Sequence, residues 1–248
     1  MLKPQEMAWD DFFAAVADIG YAAVEFWGME KDFPAVIEKA HKRGLAVSGF
    51  IGVSSLENGL NNPKNHEQIE SELKSSIDFA AEHGIPGLIC FSGNRMPALS
   101  DEQGAANTTA GLKRIAPYAE KKGVTLNLEL LNSKINHPNY MCDHTEWAAD
   151  VVRNVASTRV KMLYDIYHMQ VMEGDVIHTI TDNIDHIGHF HTAGVPGRYD
   201  PDETQELYYP AVAKAIAATD YAGFVCHEFM AKGDKIEALK NAFQTCNF

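Results

Sequence analysis

The sequence has 248 residues, 46% of them hydrophobic and 22% charged, and a formal charge of −13 from 21 Lys plus Arg against 34 Asp plus Glu. That composition supplies a core and excludes collagen-like, low-complexity and largely disordered chains. So acidic a balance repels phosphate backbones and argues against nucleic acid, and no apolar run or N-terminal signal pattern points to a membrane.

In chain order, a first helix is expected over about Trp9 to Ile19, ahead of any clear strand. Apolar, β-branched or aromatic runs then follow at Ala22–Trp27, Leu45–Gly52, Gly87–Ser92, Thr125–Leu131, Val160–Tyr167, His186–Thr192 and Gly223–Phe229. Each is short and nearly continuous in its apolar character, as for parallel strands covered on both faces. Helical patterns lie between them. Asp32 and Pro34 open one that carries Ile37 and Ala40 and stops at Gly44. Asn65 is the expected N-cap for Ile69, Leu73, Ile77 and Ala80, and Ser100 with Gln103 reads as a capping box closed by Gly123. Asp175, Pro210 and Asp234 mark three further helix starts.

Strand and helix alternate with no linker-like stretch, so one α/β domain over residues 1–248 is expected, either an open doubly wound sheet or a (β/α)₈ TIM barrel. No G-x-G-x-x-G or P-loop follows a strand, which weakens nucleotide binding. Counted from Ala22 there are seven strands, not eight. The preceding octapeptide holds Lys3, Pro4, Gln5 and Glu6, and a proline cannot donate to a central ladder. Strand one is therefore expected to be missing or reduced to a stub, leaving the seam between Ala22–Trp27 and Gly223–Phe229 open or filled by another segment or subunit. Cys90, Cys142, Cys226 and Cys246 form no CxxC pair, so reduced thiols and a cytoplasmic location are expected.

Chemistry in parallel α/β folds gathers at the C-terminal ends of the strands. The last four strands each carry a metal-ligand type there: Glu129, Asp165, His191 and Glu228. A lone carboxylate at a strand end usually caps a loop or pairs with a lysine. Three in apolar strands, with one imidazole, are relieved together by one divalent cation, and an oxygen-rich set with one nitrogen suits Mn²⁺, Mg²⁺ or Co²⁺, with Zn²⁺ admissible. His168 lies where it could reach a ligand on the metal, and Arg198 could hold a substrate carboxylate in two-pronged fashion. His189 shares the face of His191 but sits deeper, so a supporting hydrogen bond is expected of it rather than ligation. His227 and Tyr208-Tyr209-Pro210 are expected to pack, and Glu25 and the Asn94-Arg95 pair carry no more specific assignment.

The eleven residues Tyr164 to Gly174 (Tyr-Asp-Ile-Tyr-His-Met-Gln-Val-Met-Glu-Gly) closely resemble the hydroxypyruvate isomerase family, one of the xylose-isomerase-like TIM barrels. The likeness continues through Glu129-Leu-Leu-Asn132, Ile187-Gly-His-Phe-His191, Pro196-Gly-Arg198, Glu206-Leu-Tyr-Tyr-Pro210 and Cys226-His-Glu228, and covers nearly the whole chain from Trp9 onward. It implies a divalent-metal aldose–ketose isomerase. Glu129, Asp165, His191 and Glu228 match the metal ligands, Glu129 and Glu228 the acid/base pair, and His168 and Arg198 the substrate contacts. The implied reaction takes hydroxypyruvate to tartronate semialdehyde by proton transfer through a metal-stabilised enediolate, with a direct hydride shift between carbons as the alternative route. The implied partner is a small hydroxy-keto acid or sugar, with room for a homo-oligomer. His191 departs from the glutamine often found at that position in hydroxypyruvate isomerases and matches ketose 3-epimerases. Those epimerases usually carry a carboxylate where this chain has Asn132-Ser-Lys-Ile-Asn-His137. A ketose 3-epimerase is thus the first alternative. An abasic-site endonuclease would want more histidine ligands and a basic face, and a non-catalytic sugar-binding barrel would have lost a carboxylate.

Overall fold

The computed structural model describes residues 2–246. Its strands are β1 (Ala23–Phe26), β2 (Ala46–Ile51), β3 (Gly87–Cys90), β4 (Thr125–Glu129), β5 (Val160–Asp165), β6 (Ile187–Thr192) and β7 (Val225–His227). Helix α1 (Trp9–Ile19) precedes them. The others lie between or after them: α2 (Phe33–Lys42), α3 (His66–Glu82), α4 (Asp101–Lys122), α5 (Thr145–Val155), α6 (Ile166–Met172), α7 (Val176–Asn183), α8 (Tyr209–Ala217) and α9 (Lys235–Cys246). All seven strands run parallel, each bonded to the next in sequence order, which is the winding of a TIM barrel. The doubly wound alternative is excluded, because its strand order reverses at a switch point and this one does not.

Local chemistry explains some of the helix ends, although Asp32 and Asp175 stand at their N-caps without a side-chain cap bond. The Ser100 hydroxyl accepts from Gln103 N at 3.2 Å, and α4 stops at Gly123 in the left-handed region. Asp234 Oδ1 accepts from Ile236 N and Glu237 N, both at 2.9 Å. Asn65 does not cap α3 as expected. A short 3₁₀ turn, Pro63–Asn65, comes first, and Asn62 caps that turn by accepting from Lys64 N at 3.1 Å. On the outside of the sheet, an aromatic layer joins helix to strand. Phe33 packs edge-on to Phe26 and Phe50, and Trp9 stacks on Phe13.

Two register shifts aim the polar residues. Met162 pairs with Ile187, but Leu163 already pairs with His189, so Gly188 bulges and Asp165 comes opposite His191 rather than Phe190. A similar shift between Val24 and Glu25 sets Glu25 opposite Gly49. Gly188 is required at its bulge because a Cβ there would sit 2.3 Å from Asn127 Oδ1 and 2.7 Å from Lys161 Cβ. Gly188→Ala should therefore cost about 2 kcal/mol, read as a lower urea midpoint at unchanged slope. A midpoint equal to that of the parent protein would show that the bulge tolerates a side chain.

The ring stops one strand short. β1 and β7 end the sheet without pairing to each other, and residues 2–8 form no strand. The open seam expected from the sequence is present, and it holds a cavity of about 540 Å³ lined by Trp9, Phe13, Phe26, Val225 and Phe243 among others. Contacts across it come from side chains. Trp27 Nε1 donates to Glu228 Oε1 at 2.7 Å, and the Tyr21 hydroxyl donates to Leu239 O at 2.8 Å.

Candidate metal centre at the strand ends

Glu129 and Asp165 are the last residues of β4 and β5, His191 is one short of the end of β6, and Glu228 directly follows β7. The fold thus brings the four predicted ligands to one end of the barrel. One donor atom from each lies within 4.8 Å of every other, so the set could hold a metal ion. Asp165 also serves the neighbouring backbone. Its Oδ1 accepts from His168 N at 2.9 Å and caps α6, which fixes its rotamer.

His191 is the hub. Its Nε2 shares a hydrogen bond of 2.7 Å with Glu25 Oε2. Its Nδ1 lies 2.9 Å from Glu228 Oε2, 3.3 Å from Glu129 Oε1 and 3.9 Å from Asp165 Oδ2. None of these three contacts is aligned as a hydrogen bond, so Nδ1 is a buried polar atom without a partner. A nitrogen so placed among three carboxylates, with none aligned to it, has the donor arrangement of a ligand to a shared cation. The residues therefore fit a divalent ion, and the oxygen-rich donor set fits a hard one.

The electrostatics show the strain of this cluster without a cation. Burial pushes the Asp165 carboxyl up to about 7 and raises Glu129 as well. Burial would raise Glu228 too, but the neighbouring charges of His191 and Arg198 outweigh it and hold Glu228 below its ordinary range. His191 is driven well above its usual value: burial opposes the charge, and the carboxylates of Glu25 and Glu228 prevail.

His168 is fully buried beside the cluster. Its Nδ1 accepts from Asn132 N at 3.0 Å and meets Asn132 Nδ2 at 2.7 Å, while its Nε2 has no hydrogen-bond partner. Burial first, and the charge of Arg198 second, push its pKa well below the usual value. The ring is therefore neutral, with its proton on Nε2, a donor facing an unpaired position. Arg198 occupies a left-handed backbone position in the loop after β6. Its Nη2 donates to Glu228 Oε2 at 2.6 Å and lies 3.8 Å from Asp165 Oδ2, and its Nε has no partner.

Two expectations differ from the structure: Tyr208 is exposed rather than packed, and the contact of His189 Nε2 near the site is not aligned as a hydrogen bond. His189 Nε2 touches Glu25 Oε1 at 2.9 Å and is no part of the four-ligand set. His227 packs against the Tyr21 ring, and the Tyr209 hydroxyl ties down Ala193. Arg95 is structural, clamping Asp101 and Asp143 together. Two residues near the site have no role assigned from the sequence. Glu25 sits at a strand end in an apolar run, the same signal that marks Glu129, so the rule applies to it equally. Trp27 follows β1 with its indole half-exposed, and nothing in the sequence shows that it reaches across a seam to Glu228.

Seven parallel strands wound in a nearly closed α/β barrel, with three carboxylates and an imidazole converging at the strand ends, define a barrel protein with a candidate metal centre. The chain belongs to the xylose isomerase-like TIM barrel family, whose sequence pattern matches residues 13–246. Its relatives include the hydroxypyruvate isomerase of Escherichia coli K12, 31% identical over 167 residues, or 67% of this chain and 64% of that one. They also include the 2-oxo-tetronate isomerase of Pectobacterium atrosepticum, 24% identical over 92% of this chain and 89% of that one. Among solved structures, an AP endonuclease of family 2 from Brucella melitensis superposes with a TM-score of 0.82 over 95% of this chain and 92% of its own; at 23% identity this speaks for the fold.

Proposed function

We propose that this protein is a divalent-metal-dependent aldose–ketose isomerase whose substrate is hydroxypyruvate and whose product is tartronate semialdehyde. The observation that carries the proposal is the convergence of Glu129, Asp165, Glu228 and the unpartnered His191 Nδ1 on one centre. The names carried by its relatives support the substrate class, since both act on small 2-oxo acids or their isomers.

When bound by these four residues, a divalent ion supplies Lewis-acid polarisation of a carbonyl and its neighbouring hydroxyl. The protein supplies the rest. His168, neutral and with its Nε2 proton free, donates to a substrate oxygen beside Asp165. Arg198 meets the substrate carboxylate with its free Nε while Nη2 holds Glu228 in place. Glu129 and Glu228 approach from the ends of β4 and β7. One takes the proton from carbon to give an enediolate, and the other returns a proton to the adjacent carbon. Return to the same carbon from the opposite side would give epimerisation. The loop after β4 disfavours that alternative for ketoses. Asn132 and Asn136 there hydrogen-bond to each other and to His168 and Tyr167, and the loop presents no carboxylate to the site.

The proposal is tested by metal analysis of the purified protein, followed by side-by-side turnover of hydroxypyruvate and free ketohexoses before and after chelation. Hydroxypyruvate isomerisation that is lost on chelation and restored by Mn²⁺, Mg²⁺ or Co²⁺ is the expected result. Epimerisation of ketohexoses without turnover of hydroxypyruvate would overturn the substrate assignment.

A further inference from the structure

We infer that Glu25 is a positioning residue that selects the ligating tautomer of His191. The inference rests on the reading that His191 is a metal ligand. An imidazole can offer a lone pair from Nδ1 only if its ring proton sits on Nε2, and the partner of Nε2 decides that. Here the partner is a carboxylate, which can only accept: Glu25 Oε2 lies 2.7 Å from His191 Nε2 in an aligned hydrogen bond. One ring proton is thereby held on Nε2, and Nδ1, turned toward Glu129, Asp165 and Glu228, is the nitrogen that gives up its proton to ligate.

The surroundings are built for this contact. The second oxygen of Glu25 lies 2.9 Å from His189 Nε2, a close ion-pair contact without hydrogen-bond alignment, so the carboxylate sits between two imidazoles and is bonded to His191. The register shift between Val24 and Glu25 sets it opposite Gly49, where a Cβ would come within 3.1 Å of Glu25 Oε1. Glu25, His189 and His191 also lie close enough to suggest a second ion of their own. However, His191 Nε2 is already engaged with Glu25 Oε2 in an aligned hydrogen bond of 2.7 Å, so that nitrogen has no lone pair to offer an ion, whereas Nδ1 has no aligned partner.

Glu25→Gln ends the certainty that His191 Nε2 faces an acceptor. An amide presents one oxygen and one NH₂ group, so one of the two histidines must face a donor. If that ring is His191, its proton moves to Nδ1 and the ligand is lost. Mn²⁺ titration of the parent protein, Glu25→Gln, Gly49→Ala and His191→Ala, each stripped of metal beforehand, tests this. Mn²⁺ affinity is expected to fall about 10–100-fold in Glu25→Gln and several-fold in Gly49→Ala, which crowds the carboxylate without removing it. The melting temperature of metal-free Glu25→Gln should stay within a few degrees of the parent value. Imidazole ¹⁵N spectra of Mg²⁺-loaded protein should place the His191 proton on Nε2 in the parent protein and show a fraction on Nδ1 in Glu25→Gln. Affinity in Glu25→Gln within threefold of the parent, with His191→Ala crippled, overturns the role of Glu25 and leaves the metal centre standing. Failure of the parent protein to bind Mn²⁺ overturns both.

Discussion

Metal-loaded Glu228→Gln should turn over hydroxypyruvate about 10³-fold more slowly than the parent protein, with its melting temperature little changed. The side chain keeps its shape, and its carbonyl oxygen can still accept from Trp27 Nε1, as Glu228 does at 2.7 Å. What it loses is the capacity to carry a proton. It also loses the negative charge that draws in Arg198 Nη2 at 2.6 Å and faces His191 Nδ1 at 2.9 Å. An amide is a poor base at any accessible pH, so saturating substrate cannot restore the rate, and the loss belongs in kcat rather than KM. Metal content must be matched before rates are compared, because an amide oxygen is also the weaker ligand. A rate within tenfold of the parent at equal metal content would remove Glu228 from the proton-transfer pair.

Metal uptake should weaken by about a thousandfold between pH 8 and pH 6. The sign follows from which groups must give up protons. In the metal-free chain His191 is held protonated well above its usual pKa, since Glu25 and Glu228 outweigh its burial. A proton must leave Nδ1 before it can ligate, which alone makes affinity fall about tenfold per pH unit across this range. Asp165, raised by burial to about 7, adds a second competing proton as the pH drops below that value. Glu129, also raised by burial, acts in the same direction, while Glu228, held low, contributes little. His168 adds no proton to the count, because burial keeps it neutral. Competition titration with a chromophoric chelator at pH 6, 7 and 8 measures the slope. Affinity constant to within threefold over that span would show that the cluster is not in these protonation states.

The barrel and its cluster of candidate ligands were legible for a simple reason. A parallel strand covered on both faces reads as an apolar run, so a charged residue at its end stands out, and Glu129, Asp165, His191 and Glu228 all stand out in that way. Their convergence follows from parallel winding, which puts every strand's C-terminal end on one rim. What was hidden depends on register and on reach. The one-residue shift at Gly188 that sets His191 opposite Asp165 leaves no mark beyond a glycine in a strand. The pairing of Glu25 with two histidines joins residues about 165 positions apart, at 166 in the case of His191, and local pattern is silent on that. Trp27 bonds to Glu228 only because the two strands between which a neighbour is lacking face each other. The misplaced cap at Asn65 is a local error: two asparagines three apart, Asn62 and Asn65, offer the same signal, and the proline at 63 favours a turn beginning at the first.

The rim of this barrel is not equally braced. Glu129, Asp165 and His191 hang from strands bonded on both sides, whereas Glu25 and Glu228 hang at the two free margins of the sheet. The first three behave as an anvil and the last two as jaws, joined at their tips by the Trp27–Glu228 hydrogen bond. Strands held along one margin open at lower cost than those held along two. A cation gripped by Glu228 on one jaw and by three ligands on the anvil would therefore act as a rivet through the wall, and its binding energy would be spent partly on keeping the ring shut. In a barrel with a full complement of strands, the wall stands on its own and the ion serves only the reaction. Here loading the centre would also tighten the fold.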